Sequence, residues 1–222
     1  MIEESIYINH QSTVNNQLSA LPVMESFYTL QGEGFYQGKA AYFIRLGGCD
    51  VGCFWCDVKA SWDPSAHQQK TIDDILKEAL STVNSQLFTE NICVITGGEP
   101  LLYNLNELTK SLQQNNFKTH IETSGSSPLS GSWNWICLSP KKFKQPLPEI
   151  YAVADELKII IYNKADFKWA EKNAALVSTK CKFYLQPEWS KSAEVTPLII
   201  DYIKANPKWQ LSLQIHKYVN IP

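Results

Sequence analysis

Ala41-Tyr42-Phe43-Ile44-Arg45-Leu46-Gly47-Gly48-Cys49-Asp50-Val51-Gly52-Cys53-Phe54-Trp55-Cys56 decides how the rest of the chain is read. Its first part is an apolar run bounded by Gly38 and by Gly47-Gly48, the pattern of a buried strand. Its second part sets three thiols on one compact loop directly after that strand. Downstream, strands and helices alternate. Thr71-x-x-Asp74 suits a capping box, and Ile72, Ile75, Leu76, Ala79, Leu80 and Val83 recur at helical spacing. Strands are expected at 92–96, 118–123, 135–139, 157–161, 182–186 and 210–216, and helices at 105–115, 165–176 and 196–205. Crossover helices between strands imply a parallel sheet. The stretch is short for a closed eight-fold barrel of about 250 residues, so the expected fold is α/β, a partial, open β/α barrel with about six parallel strands. Function then belongs at the carboxyl ends of those strands. These ends carry the cysteines, Thr96-Gly97-Gly98-Glu99-Pro100, Glu122-Thr123-Ser124-Gly125, Ser139-Pro140-Lys141, Gln186-Pro187-Glu188-Trp189 and His216-Lys217.

The whole chain has 222 residues, 44% hydrophobic and 19% charged, with 20 Lys+Arg against 22 Asp+Glu. That is the composition of a globular protein rather than a disordered one. Residues 1–23 are polar and lack periodicity, apart from a short apolar stretch at 6–8, and are expected to form a loosely attached extension to a single domain over 24–222. No run approaches the ~18 apolar residues of a membrane span, and the acidic start Met1-Ile2-Glu3-Glu4 is unlike a signal peptide, so a cytoplasmic location is expected. The one local basic cluster, Lys141, Lys142 and Lys144, is too small for a sequence-independent nucleic-acid binder. Neither a direct nucleic-acid partner nor a membrane is expected, and a small-molecule substrate is.

Of the 6 cysteines, Cys93, Cys137 and Cys181 lie in or beside apolar runs and read as core residues. Cys49-x3-Cys53-x2-Cys56 is different. In a reducing compartment, clustered cysteines are metal ligands or catalytic thiols rather than staples. Three soft ligands select zinc, copper(I) or an iron–sulfur cluster. A structural zinc site needs a fourth ligand, and the nearest candidate, His67, stands alone. A four-iron cluster held by three cysteines keeps one iron open to substrate or cofactor.

CX3CX2C with Trp55 just before the last cysteine, followed one strand–helix unit later by Gly97-Gly98-Glu99-Pro100, resembles the radical S-adenosylmethionine superfamily. The resemblance implies that superfamily's partial barrel and a [4Fe-4S] cluster on Cys49, Cys53 and Cys56. Its open iron would chelate S-adenosylmethionine, whose reductive cleavage gives a 5′-deoxyadenosyl radical. Gly97 and Gly98 let the backbone approach that ligand without a Cβ, and Glu99 is placed to take its ammonium.

Phe27 to Gly34, Ile121 to Gly125, Leu138 to Lys141 and His216 to Pro222 further resemble the 7-carboxy-7-deazaguanine synthase family, over nearly the whole chain from Ser26. This likeness implies conversion of 6-carboxy-5,6,7,8-tetrahydropterin to 7-carboxy-7-deazaguanine with loss of ammonia, a lyase step in queuosine and 7-deazapurine synthesis. It also implies a homodimer and an external electron donor of flavodoxin or ferredoxin type. Carried over by position, Trp55, Asp57, Gly97, Gly98, Glu99, Ser139, Pro140, Lys141, Gln186, Pro187, Glu188 and Trp189 line the cofactor. Leu30, Gln31, Gly32, Glu33, Arg45, Thr96, Glu122, His216 and Pro222 surround the pterin, the last through a terminal carboxylate. Arg45 has its own chemical reason, a guanidinium fork that matches the substrate carboxylate. His216 at an expected strand end is raised to a site residue by the resemblance alone. One position departs from the family: Val58 stands where many members carry Thr or Ser as a Mg²⁺ ligand, so the ion either binds through substrate, water and a residue such as Asp57, or is not used. Two rivals share parts of the pattern. A radical activase of a partner protein needs neither Gln31-Gly32-Glu33-Gly34 nor the His216-Lys217 segment, and a zinc or iron–sulfur module without catalysis needs a fourth ligand.

Overall fold

Alternation of burial along β2 (Ala40–Leu46) sets the two faces of the molecule. Tyr42, Ile44 and Leu46 enter the main apolar core, while Phe43 and Arg45 face the opposite way, into a cavity. The computed structural model describes residues 20–83 and 91–222. Among them β4 (Asn91–Gly97), β5 (Phe117–Thr123), β6 (Trp135–Leu138), β7 (Glu156–Ile161), β8 (Lys182–Pro187) and β9 (Trp209–Leu211) each run parallel to the strand before, starting from β2. The six strands expected after the cysteines are thus present, the last of them shortened to the three-residue β9.

Helices α1 (Ile72–Thr82), α2 (Asn106–Gln114), α3 (Pro148–Val153), α4 (Asp166–Ala174) and α5 (Ser192–Ala205) join them. Their apolar stripes cover one face of the sheet, where Ile44, Ile95, Ile121, Leu138, Leu157, Ile159 and Leu185 are fully enclosed. Full burial of each such side chain contributes about 1.5–3 kcal/mol. Thr71 caps α1 as its sequence implies, accepting from the Asp74 backbone N–H at 3.2 Å.

Two antiparallel strands were not legible beforehand. β1 (Ala20–Leu30) pairs with β2 on one side and with β3 (Gln68–Thr71) on the other, giving the sheet order β3-β1-β2-β4-β5-β6-β7-β8-β9 among the described residues. Its end strands are β3 and β9, which do not pair, so the barrel is open. Residues 1–19 of the expected extension lie outside the described residues, and the last four residues assigned to it open β1 instead.

The strand expected at 210–216 is corrected. β9 stops at Leu211, and His216 lies on a short helix, α6 (Ile215–Val219). The chain leaves the sheet because Ser212 turns inward. Its hydroxyl donates to Gln186 Oε1 at 2.7 Å and accepts from the Gly34 N–H at 2.9 Å, while the Ile215 N–H reaches Gly32 O at 3.0 Å. The segment after β9 therefore packs on the loop after β1 and seals the gap that the open sheet leaves.

Candidate active site

The loop carrying the three cysteines is pinned at both ends by backbone hydrogen bonds. The Gly48 N–H donates to Ser61 O at 2.6 Å, the Glu99 N–H to Gly48 O at 2.8 Å, and the Gly98 N–H to Leu46 O at 2.9 Å. Gly97 and Gly98 are required by this closeness. A Cβ on Gly97 would meet Leu46 O at 2.1 Å, and one on Gly98 would meet Gly48 O at 2.0 Å and Cys49 Cβ at 2.9 Å. The ends of β2 and β4 thus touch through bare backbone, and the cysteine loop rises beside them.

Cys49, Cys53 and Cys56 are all free thiols on the wall of one cavity of about 390 Å³, within the range of ligand sites. Burial pushes the Cys53 thiol up to about 11, against the pull of Lys141 and with a further push from the other two cysteines; burial also raises Cys49. Without a cation Cys49 and Cys53 stay protonated near neutral pH, and a bound metal centre would supply the positive charge that favours thiolates. Among the described residues no three His, Cys, Asp or Glu side chains converge as ligands of a single ion. Three soft sulfurs spread along the wall of an open cavity fit a multi-metal cluster.

Opposite and beside them stand most of the residues singled out in the sequence. Trp55, Asp57, Gly97, Gly98, Ser139, Lys141, Gln186, Pro187, Glu188 and Trp189 line the same cavity, as do Leu30, Gln31, Gly32, Glu33, Arg45, Thr96, Glu122, His216 and Pro222. Arg45 donates through Nε to Glu25 at 2.6 Å, an arrangement that engages one edge of the guanidinium, and it lies 5.9 Å from the Phe27 ring centroid. Gln31 Nε2 donates to Glu122 Oε1 at 3.0 Å, and Gln214 Nε2 to Glu33 Oε1 at 2.8 Å. Burial lowers the His216 pKa, against the pull of Glu33, so its ring is neutral at pH 7. That ring sits where Gly32 has no side chain: a Cβ there would lie 2.1 Å from His216 Nδ1.

Two of the expected cofactor residues lie off this wall. Glu99 is 1% exposed and is not on the cavity wall. Its carboxylate accepts from Thr123 Oγ1 at 2.6 Å, from Ser124 N and Oγ at 2.8 and 2.5 Å, and from the Leu101 N–H at 3.1 Å. It ties the end of β4 to the end of β5 and has no edge turned to a ligand's ammonium. Pro140 faces a neighbouring cavity of about 170 Å³ together with Phe54, Phe143 and Tyr162.

Sequence reading also missed wall residues. Lys158 and Gln214 are the important ones, with Phe27, Phe43 and Lys217. Lys158 had a visible signal, a charged residue inside the β-branched run 157–161, and its ammonium pairs with Glu33 and, at 3.4 Å, with Glu122. Lys217 donates to Asp57 Oδ2 at 2.6 Å and stacks 4.9 Å from the centroid of Trp189, strapping α6 to the cysteine loop.

Residues 43–142 match the Radical SAM superfamily. The 7-carboxy-7-deazaguanine synthase of Flavobacterium psychrophilum is 54% identical over 202 residues, covering 91% of this chain and 93% of that protein. The chain belongs to the 7-carboxy-7-deazaguanine synthase family. Other members are similar along the same length: the synthase of Synechocystis sp. is 44% identical over 90% of this chain and 93% of its own, and that of Escherichia coli K12 is 34% identical over 90% and 98%. The crystal structure of QueE from Escherichia coli superposes with a TM-score of 0.74 at 32% identity, covering 87% of this chain and 93% of that one. The open barrel is therefore the radical SAM partial barrel, and family membership makes the chain a lyase that uses a [4Fe-4S] cluster, S-adenosylmethionine, a reductant and a small-molecule substrate. No helix among the described residues is long and apolar enough to cross a membrane.

Proposed function

We propose that this cavity converts 6-carboxy-5,6,7,8-tetrahydropterin to 7-carboxy-7-deazaguanine with loss of ammonia. The observation that carries the reading is that residues distant in sequence, from the loop after β1 and from α6, line the same cavity as the three cysteines with a set of groups complementary to that substrate. A carboxylated pterin offers one anionic group and several ring N–H donors. The cavity answers with one guanidinium, Arg45, and, among its carboxylates, with Glu33 and Glu122, which lie together on Lys158.

Cys49, Cys53 and Cys56 would hold the cluster, and the glycine backbone at 97–98 with Ser139, Lys141 and the segment 186–189 would hold S-adenosylmethionine. When bound, these groups supply the hydrogen-abstracting radical. The chain's own part is placement and exclusion. Arg45 keeps its terminal nitrogens for the substrate carboxylate while Glu25 fixes Nε. Glu33 and Glu122 accept from the ring N–H groups, and neutral His216 presents a ring nitrogen beside Gly32. Trp189 packs 5.3 Å from Tyr218 and, with Lys217, covers the side of the cavity nearest α6, which limits water access. Pro222 adds to that side.

Asp57 is committed to Lys217, and Val58 shows the cavity only hydrocarbon. This reading therefore draws no magnesium ligand from either residue. Further elements of the proposal are a cytoplasmic homodimer, one domain that begins with β1 and runs to residue 222, and a flavodoxin or ferredoxin as donor.

The test is anaerobic reconstitution with iron and sulfide, then incubation with S-adenosylmethionine, dithionite and the tetrahydropterin, followed by mass spectrometry. Expected is a 7-carboxy-7-deazaguanine peak that Cys53→Ala abolishes. Formation of 5′-deoxyadenosine without that product would discard the substrate and keep the radical chemistry.

A further inference from the structure

Lysine in a central parallel strand is rare, because both faces of such a strand are covered. β7 solves the conflict by alternation. Leu157, Ile159 and Ile161 face the helices and are fully enclosed, while Glu156, Lys158 and Ile160 face the interior of the barrel. The Lys158 side chain is 4% exposed and lies on the cavity floor. Its acceptors among the described residues are two carboxylates from different parts of the chain, Glu33 in the loop after β1 and Glu122 near the end of β5.

These carboxylates are held alike. Glu33 has Gln214 on Oε1 and Lys158 on Oε2; Glu122 has Gln31 on Oε1 and Lys158 on Oε2. One ammonium is thus shared by two anions that both line the cavity. Two carboxylates in one poorly solvated site do not both ionise unless a cation lies between them. Direction of titration agrees: burial alone raises Glu33, yet Lys158 draws it well below the usual carboxylate range.

We propose that Lys158 is a positioning residue that keeps Glu33 and Glu122 ionised together and turned to the cavity, so that both can accept hydrogen bonds from the ring N–H donors of the pterin. This rests on the substrate reading above and goes beyond it, since it assigns the affinity for the ring to a residue that need not touch it. The charged and titratable groups facing the ammonium are Glu33, Glu122, Glu156, Cys137 and Lys141, with His216 beside Glu33. Without the lysine charge, burial is left to raise Glu33, which then takes up a proton at higher pH than in the wild type and stops accepting.

The experiment uses reconstituted holoenzyme and two readouts, steady-state kinetics with the tetrahydropterin and equilibrium binding of fluorescent 6-carboxypterin from pH 5.5 to 8.5. In Lys158→Met the pterin KM and the 6-carboxypterin Kd rise about 10- to 100-fold, since hydrogen bonds to charged groups are lost, while KM for S-adenosylmethionine stays within about twofold. A new ionisation enters the pH profile of Kd, with binding recovering as pH rises. Lys158→Arg restores the charge and removes that ionisation. Lys158→Gln, neutral but still able to donate to both glutamates, is expected to show the same ionisation as Lys158→Met, and this variant serves if the Met substitution does not fold. A folded Lys158→Met or Lys158→Gln protein with wild-type Kd and an unchanged pH profile would overturn the assignment, as would an ionisation that persists in the Arg variant. Failure of the substrate reading looks different: the wild-type protein then gives 5′-deoxyadenosine but no 7-carboxy-7-deazaguanine, and binding of 6-carboxypterin still reports on Lys158.

Discussion

Replacing Gly98 by Ala tests the claim that bare backbone contact sets the position of the cysteine loop. Gly98 carries no positive φ, so an added methyl acts through space alone. That methyl would start 2.0 Å from Gly48 O and 2.9 Å from Cys49 Cβ. Neither can swing aside: Gly48 O already accepts from the Glu99 N–H at 2.8 Å, and the Gly48 N–H is held by Ser61 O at 2.6 Å. Relief therefore requires the cysteine loop and the end of β4 to part by roughly 1 Å, and overpacking of this kind costs about 1–3 kcal/mol. For a domain of this size the expected fall in Tm is about 3–10 °C. Catalysis suffers more than stability, since a displacement of about 1 Å costs on the order of 100-fold in rate. The assay is 5′-deoxyadenosine formation by the reconstituted protein, with iron content measured in parallel. Gly38→Ala is the control, because Gly38 has φ +84° and nothing within 4 Å of the added Cβ. It should lose about 1 kcal/mol through backbone strain and keep its rate. A Gly98→Ala protein with wild-type rate and Tm would refute the reasoning.

Two other substitutions probe the framework. Glu99→Gln places an amide against the four donors that now meet a carboxylate, and the loss of at least two charge-assisted bonds should cost about 2–4 kcal/mol; calorimetry that finds Tm unchanged would remove Glu99 as the tie between β4 and β5. His120 is buried against Tyr36, 4.5 Å between centroids, and burial lowers its pKa to about 4. Between pH 6.5 and 4 the unfolded chain binds a proton that the folded chain does not, so stability falls as pH falls through this window, by up to about 3 kcal/mol. Urea unfolding at pH 7 and 4.5 should show a smaller acid loss in His120→Phe than in the wild type, and equal losses would contradict the assignment.

The parallel strands and their helices were legible because each carries its own local signal: β-branched runs such as 157–161, or the Thr71 cap with its helical stripe. β1 was not. It pairs along one edge with the short β3 and is half-exposed for much of its length, so its residues show neither continuous apolarity nor clean alternation. The end of the chain misled for a related reason. Residues 212–216 alternate like a strand, yet their contacts are with Gly32 and Gly34, which no local pattern can announce. Among site residues, the cysteines declare themselves by spacing and chemistry. Lys158 was readable as an anomaly and passed over, and Glu99 sat in the right motif while its carboxylate turned inward to Thr123 and Ser124.

The seal made by the loop after β1 and the segment after β9 also bears on the order of assembly. Glu33 and Gln214 are 181 residues apart, so the wall they form closes a very long loop and has no local structure to precede it. The sheet and its helices can associate without that wall; the wall cannot form without the sheet. On loop-closure entropy alone, its contacts are expected to form after the sheet and to open before it. A ligand that touches both segments then acts as a clasp, favouring the closed form in proportion to the logarithm of its concentration over its Kd.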